Sequence, residues 1–215
     1  LGPLINIITR TSGRPNAFKR CVNSIKEQTY QNINHIIITD DENNFGYIKE
    51  NGYDNPYLVN REELIKNDKS IDPGTGPYSP HNLYFIEVKH LITDGWVMYL
   101  DDDDLFNKET ALDEIKDIIN NVDEDTIIYW QMVYENGMVL PQIINSKNPP
   151  RIGGIGSPCF TFHSKWIKYA QWDGWKCSDF RVINSLHNKI KKFKFTPKPL
   201  VLIPKAGFGN KNDIL

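Results

Sequence analysis

The chain has 215 residues, enough for one domain with a sizeable core, and its 40% hydrophobic and 24% charged residues are ordinary for a globular protein. With 25 basic and 27 acidic residues the formal net charge is −2, which argues against binding nucleic acid mainly through phosphate contacts. Three cysteines (Cys21, Cys159, Cys177) without CxxC spacing argue against a zinc site or a disulfide framework. They point to a reducing, cytoplasmic setting, peripheral to a membrane at most, since no apolar run is long enough to span one.

Leu4 to Thr9 is a short β-branched run, followed by a polar turn and by Pro15 at a position suited to the first turn of a helix. Ala17, Phe18, Cys21, Val22 and Ile25 then recur at helical spacing and predict one buried face. His35 to Thr39 reads as a second strand ending at Asp40-Asp41. This β-α-β opening predicts an α/β fold with a parallel sheet and helices packed on it. Tyr57 to Asn60 is a candidate third strand. Lys66 to Pro80, rich in Asp, Gly, Pro and Ser, is expected to be a long loop, of the kind that acts as a lid or lacks order. Ser79-Pro80 starts a helix whose expected apolar face is Leu83, Phe85, Ile86, His90 and Leu91, and Trp96 to Leu100 is the next strand.

Beyond the strand, Asn107 to Val122 reads as an amphipathic helix. Thr126 to Val133 and Met138 to Ile144 form a hairpin around Glu135-Asn136-Gly137. Pro149 to Pro158 is a loop, Cys159 to Phe162 a strand, Ser164 to Tyr169 a helical turn, and Asp179 to Ile190 a helix. Phe193 to Pro204 is extended, and the polar tail after Lys205 is expected to be mobile. The basic run Lys189 to Lys194 reads as a solvated helix end.

Asp101-Asp102-Asp103-Asp104 closes the apolar strand without a break. Four adjacent carboxylates repel one another and need a compensating cation or full solvation. At the carboxyl end of a strand, where α/β sheets bind ligands, hard oxygens suit Mg²⁺ or Mn²⁺ bridged to phosphate. An acidic helix cap explains Asp104 alone. Thr9-Arg10-Thr11 and Asp40-Asp41 end the first two strands and are expected on the same edge, where a carboxylate can accept from an imide N–H or a ribose hydroxyl. Taken alone, Asp40-Asp41 also suits a plain turn.

Together these residues resemble the GT-A glycosyltransferases, especially the family 2 type. The likeness lies in Ser24-Ile25, Gln28-Thr29-Tyr30, Asn32 to Asp41 and Tyr99 to Asp104, and is specific over residues 4–41 and 96–106. It implies a Rossmann-like, mostly parallel sheet flanked by helices, with a donor half at 4–106 and an acceptor half, ending in a small acceptor-side subregion, at 107–215. The implied activity is inverting transfer of a sugar, hexosyltransferase in type, from a nucleotide-diphosphate sugar, UDP above all, to a glycan or other hydroxyl acceptor. By the same resemblance Thr9, Arg10, Thr11 and Arg14 border the nucleotide, Asp40 or Asp41 contacts base or ribose, Asp101 faces the ribose, Asp102 spaces the motif and Asp103 binds Mn²⁺ or Mg²⁺. The sequence departs from the family at Glu42-Asn43-Asn44 and at Pro80-His81-Asn82. By the resemblance His81 and Asn82 take the place of the family's Ala-Arg-Asn helix start, which packs beside the nucleotide.

An inverting transferase needs a carboxylate to take the acceptor's proton. Ser178-Asp179, after Trp172-Asp173-Gly174-Trp175, has the family's order, so Asp179 is the candidate base, with Asp173 in reserve and helix capping as the plain alternative. Gly153 to Ser157 are expected to border the acceptor, Trp172 and Trp175 to offer stacking faces, and His163 is a lesser candidate for metal or diphosphate. A nucleotidyltransferase would need a glycine-rich phosphate cradle, and Arg10 to Pro15 contains only Gly13. A non-catalytic sugar-nucleotide or glycan-binding module stays open, as does membership of a larger multidomain protein.

Overall fold

The computed structural model describes residues 2–204; the tail expected to be mobile lies outside them. In chain order the elements are β1 (Ile5–Arg10), α1 (Pro15–Lys26), β2 (Ile33–Thr39), α2 (Phe45–Glu50), β3 (Tyr57–Leu58), α3 (Arg61–Asn67), α4 (Tyr84–Glu87), β4 (Trp96–Tyr99), β5 (Leu105–Phe106), α5 (Ala111–Ile119), β6 (Thr126–Tyr134), β7 (Val139–Leu140), β8 (Phe160–His163), α6 (Ser178–His187) and β9 (Lys192–Ile203). They build one sheet in the order β3-β2-β1-β4-β8-β6-β9-β5, with β7 hanging on β6.

Strands β1 to β4 run parallel, and β6 and β9 share their direction. Strands β8, β7 and β5 run against it. Ile8 lies opposite Ile36 on one side and Tyr99 on the other, so β1, β2 and β4 end level with one another. That register brings Arg10, Asp40 and Asp101 to one edge.

Helix α1 starts at Pro15 and buries Ala17, Phe18, Cys21, Val22 and Ile25, the five residues whose spacing predicts its inner face. Burying each of the larger ones is worth roughly 1.5–3 kcal/mol. At its end Gln28 is buried and fully bonded, accepting from the Leu112 N–H and donating to the Ser24 and Lys108 carbonyls, which pins α1 to the start of α5.

Several sequence expectations are corrected. The segment from Pro80 to Leu91 is a 3₁₀ turn, the single α turn of α4 and another 3₁₀ turn. Its tighter winding turns Tyr84 and Val88 inward with Leu83 and Phe85, and leaves Ile86, His90 and Leu91 exposed. Lys66 and Asn67 belong to α3 rather than to the loop, and α2 was not anticipated. Helix α5 begins at Ala111 because the chain first forms β5 against β9 and the Asn107 N–H bonds the Leu200 carbonyl; Asp104 therefore caps no helix. Strand β7 stops at Leu140, since Pro141 has no N–H for the ladder. Of the basic run, Lys189 and Lys191 follow α6, with Lys191 Nζ on the His187 carbonyl, while Lys192 and Lys194 lie on β9. The hairpin holds, closed by the Tyr134 N–H on the Met138 carbonyl and the Gly137 N–H on Tyr134.

Candidate functional site

At the end of β1, Arg10 turns its guanidinium across the face of Phe85, 4.7 Å from the ring centre. It ion-pairs with Asp101 (Nη2–Oδ2 2.9 Å, Nε–Oδ1 2.8 Å) and donates to Asn82 Oδ1 at 2.8 Å. Asn82 is buried, and its amide donates to the Trp175 carbonyl at 3.0 Å. Arg10 is thus held by stacking and a fixed fork of acceptors, the geometry that favours arginine over lysine.

At the N-cap of α1, Arg14 donates to Asp102 through Nε at 3.2 Å and through Nη2, and to Asp103 through Nη1 at 2.7 Å. Asp102 is fully buried, and Asp103 and Asp104 nearly so. Burial pushes all three carboxyls up and their mutual repulsion adds to it, while Arg14 opposes the rise at Asp102 and Asp103. Four carboxyl groups thus share two guanidiniums on this edge. Asp101 Oδ1 is buried and accepts no aligned hydrogen bond, although Arg10 Nε lies beside it.

This donor set fits a hard divalent cation in its oxygen chemistry. Among the described residues no three acidic, His or Cys side chains converge to cage an ion. A cation held by one or two carboxylates, with phosphate and water completing its shell, matches that arrangement.

Asp40, at the end of β2, receives the Tyr84 hydroxyl on Oδ2 at 2.7 Å and Arg61 Nη1 at 3.3 Å. Burial works to raise its carboxyl, but the bonds from Tyr84, Ser12 and Arg61 hold it below the ordinary carboxylate range. Its Oδ1 is buried without a hydrogen-bond partner. Asp40 and Asp41 line an open cavity of about 540 Å³ with Leu58, Val59 and Asn60. Asp41 is exposed, and its Oδ1 takes the Asn43 N–H, the turn role open to it from the sequence. Thr9 and Thr11 are buried. Thr9 Oγ1 donates to the Leu100 carbonyl at 2.7 Å and meets His35 Nε2 at 2.9 Å, and Thr11 Oγ1 lies 2.8 Å from the Tyr47 hydroxyl. Both therefore face into the fold at the root of the edge.

A second cavity, of about 400 Å³, opens between the two halves of the sheet edge. Arg10, Asp101, His81 and Asn82 line one side; Gly153, Gly156 and Ser157 line another; Trp172 and Asp179 close it. Asp179 stands in the first turn of α6 and its Oδ1 accepts the Phe180 N–H. Burial raises its carboxyl to about 6; the Phe180 bond opposes this, the Asp101 charge adds to it, and Arg10 and Arg181 counter. Asp173, the reserve base, is taken up by Arg181 on both oxygens and by the Trp175 N–H.

Trp172 packs between Phe85 and Tyr99 (4.6 and 4.9 Å between ring centres) and shows only 6% of its surface, so it is a core wall of the cavity rather than a free stacking platform. Trp175 lies edge-on to Tyr78. His163 is corrected outright. Strand β8 runs antiparallel to β4, which places His163 opposite Trp96, at the far end of the sheet, beside Asp94 and Glu124. Tyr84 and Arg61, which grip Asp40, escaped the sequence reading. No spacing marks Arg61, and Tyr84 sits in a segment whose winding the apolar pattern misread.

No protein-family profile and no curated protein matches the sequence. Solved structures do match its fold. TarS from S. aureus superimposes with a TM-score of 0.66 at 13% identity, over 94% of this chain and 37% of TarS. TarS 1–349 in complex with UDP-GlcNAc gives 0.64 at 15% identity, over 94% of this chain and 58% of that one. The mannosyltransferase PcManGT from Pyrobaculum calidifontis, in complex with GDP-Man and Mn²⁺, gives 0.61 at 10% identity, over 97% and 59%. The chain thus spans less than two thirds of the length of these neighbours. The likeness establishes a GT-A-like, Rossmann-type glycosyltransferase fold, with its mostly parallel sheet flanked by helices.

Proposed function

We propose that this chain is a metal-dependent glycosyltransferase, of hexosyltransferase type, that moves a sugar from a nucleoside-diphosphate sugar, with UDP as the preferred nucleotide, to a hydroxyl acceptor with inversion. The observation that carries the reading is Asp40 Oδ1, a carboxylate oxygen buried on the sheet edge without a hydrogen-bond partner. It shares that edge with Asp101, whose Oδ1 has the Arg10 guanidinium beside it but accepts no aligned hydrogen bond. A buried acceptor left unpaired is costly, and a nucleotide matches Asp40 with an imide N–H or ribose hydroxyl; a ribose hydroxyl likewise suits Asp101. The neighbours of like fold include ones bound to UDP, UDP-GlcNAc and GDP-Man with Mn²⁺, which supports the same class of donor here.

In this reading residues 4–106 hold the donor and 107–215 the acceptor. Asp103 holds Mn²⁺ or Mg²⁺, and Asp102, locked by Arg14, fixes the strand end from which Asp103 projects. When bound, the metal supplies positive charge to the departing diphosphate. Arg10 and Asn82 orient Asp101, Arg14 tempers the charge of the cluster, and the Gly153 to Ser157 loop lets the acceptor approach the backbone. Asp179 takes the acceptor hydroxyl's proton on its carboxylate as the new glycosidic bond forms. The 400 Å³ cavity that joins Asp101 to Asp179 brings this base to the donor edge.

Incubation with a panel of UDP-sugars and Mn²⁺, followed by free UDP, tests the reading. Slow donor hydrolysis is expected without acceptor, and Asp103→Ala should abolish it. Absence of UDP release with every sugar, with nucleotide still bound, would leave a binding module in its place.

A further inference from the structure

We propose that Arg181 is a positioning residue of the acceptor side, whose guanidinium braces the 173–177 turn and thereby sets Asp179 and ties it to the donor-side pair Arg10–Asn82. The inference rests on the reading above for the role of Asp179. Arg181 lies two residues beyond Asp179 on α6, and its donors reach the 173–177 turn and the separate stretch that carries Thr75. Nε and Nη2 grip Asp173 at 2.5 and 2.6 Å, Nη2 also reaches the Trp175 and Lys176 carbonyls at 3.0 and 3.1 Å, and Nη1 donates to Thr75 Oγ1 at 3.0 Å.

The turn so held is tight. Asp173 Oδ1 takes the Trp175 N–H, the Asp173 N–H donates to Ser178 Oγ, and Cys177 is forced to φ +63°, the one non-glycine in the left-handed region among the described residues. Such a conformation persists only where surrounding bonds over-determine it. It immediately precedes the turn of helix that carries Asp179.

The Trp175 carbonyl is the joint between the two sides. It accepts from Arg181 Nη2 and from Asn82 Nδ2, both at 3.0 Å, and Asn82 in turn holds Arg10, the partner of Asp101. The 68–79 loop is clasped to the same turn: the Ser79 N–H bonds the Gly174 carbonyl, the Lys176 N–H bonds the Pro77 carbonyl, and Thr75 Oγ1 bonds the Lys176 carbonyl. A planar fork with five N–H donors spans the acceptors of Arg181, Nη2 sharing its two hydrogens among Asp173 Oδ1 and the Trp175 and Lys176 carbonyls. A lysine ammonium, with three donors on one nitrogen, cannot.

The test compares the full chain with Arg181→Met, Arg181→Lys and Asp173→Asn in two arms. Hydrogen–deuterium exchange needs no activity. Segments 68–79 and 173–181 should exchange at least about tenfold faster in Arg181→Met and Asp173→Asn, with α1 unchanged. In sugar transfer, Arg181→Met should lower kcat on the order of a hundredfold, with the donor KM within about twofold. It should also move the acid limb upward, because Asp179 then faces Asp101 and Arg10 without its third charged neighbour. Arg181→Lys should return the limb while kcat stays about tenfold low. Unchanged exchange in both segments, or full recovery of kcat by lysine, overturns the proposal. Should Arg181→Met not fold, Asp173→Asn decides it by the same readouts. A parent chain that binds no UDP with Mn²⁺ counts against the transferase reading, and the exchange arm then still decides the role of Arg181.

Discussion

A carboxyl group that titrates near 4 is a weak partner for a hydroxyl proton, and the enclosure of Asp179 moves it to about 6, closer to the pH at which a base works. The base form is the ionised one, so the transfer rate should rise with pH through about 6 and then level off. Asp179→Asn should lower kcat by about 10²–10⁴-fold and erase that limb, with donor binding kept; a variant that keeps the limb would exclude Asp179 as its source. His35 shows the reverse environment. Its ring nitrogens meet the Tyr53 hydroxyl at 2.5 Å and Thr9 Oγ1 at 2.9 Å, and burial, with help from Lys26, pulls it down to about 3. The folded chain refuses a proton that the unfolded chain accepts below about pH 6.5, so stability is intact above that pH and falls towards pH 3, by up to about 1.4 kcal/mol per pH unit. In urea titrations at pH 7 and pH 5, His35→Gln should therefore show a smaller loss between the two pH values than the parent.

At the scale of elements, the edge that carries the site depends on how β4 enters the sheet. Gly95 turns the chain into β4 at φ +85°, and a Cβ there would fall 2.6 Å from the Leu4 carbonyl oxygen and 2.9 Å from Leu4 Cβ, just ahead of β1, where the Trp96 N–H bonds the Leu4 carbonyl. Gly137, in the β6–β7 turn at φ +83°, has open space around it. Gly137→Ala should cost about 1–2 kcal/mol, the penalty of the left-handed conformation alone. Gly95→Ala should cost more, since contact with backbone is added, and should also weaken nucleotide binding by shifting Asp101. Equal urea midpoints for the two variants would mean that β4 can slide without loss. The short elements on the donor side follow the same logic of support: α3 supplies Arg61 and α4 supplies Tyr84, and both bonds end on Asp40.

Across the whole molecule, one sheet edge gathers groups from β1, β2, α3, α4, the end of β4 and α6, and a ligand that bridges them should stabilise all of them together. In a thermal-shift panel of UDP-, GDP-, dTDP- and CMP-sugars with and without Mn²⁺, the UDP-sugar with Mn²⁺ should raise Tm most. At a hundred times its Kd it contributes about 2.7 kcal/mol. Equal shifts from every nucleotide, or no effect of metal, would contradict the proposed site. The opposite edge carries Lys165, Lys192, Asp123, Glu124 and Asp125 in exposed ion pairs, which are screened by salt and contribute little. No helix among the described residues is long and apolar enough to cross a membrane.

The sequence by itself determined the parts ruled by local periodicity and local chemistry. The inner face of α1, the β-α-β opening and the placing of Asp101 at a strand end follow from spacing, because burial on one face repeats with the helix or strand period. The segment from Pro80 to Leu91 defeated that reasoning, since its winding changes twice within twelve residues. Only the tertiary structure decided which partner each charge takes. That Arg14 locks Asp102 and Asp103, that Tyr84 and Arg61 hold Asp40, and that His163 falls at the far end of the sheet depend on strand order and direction, which no local pattern encodes. The raised carboxyl of Asp179 belongs to the same class: it is a property of the cavity the fold closes around it, and a residue acquires it only once distant segments have met.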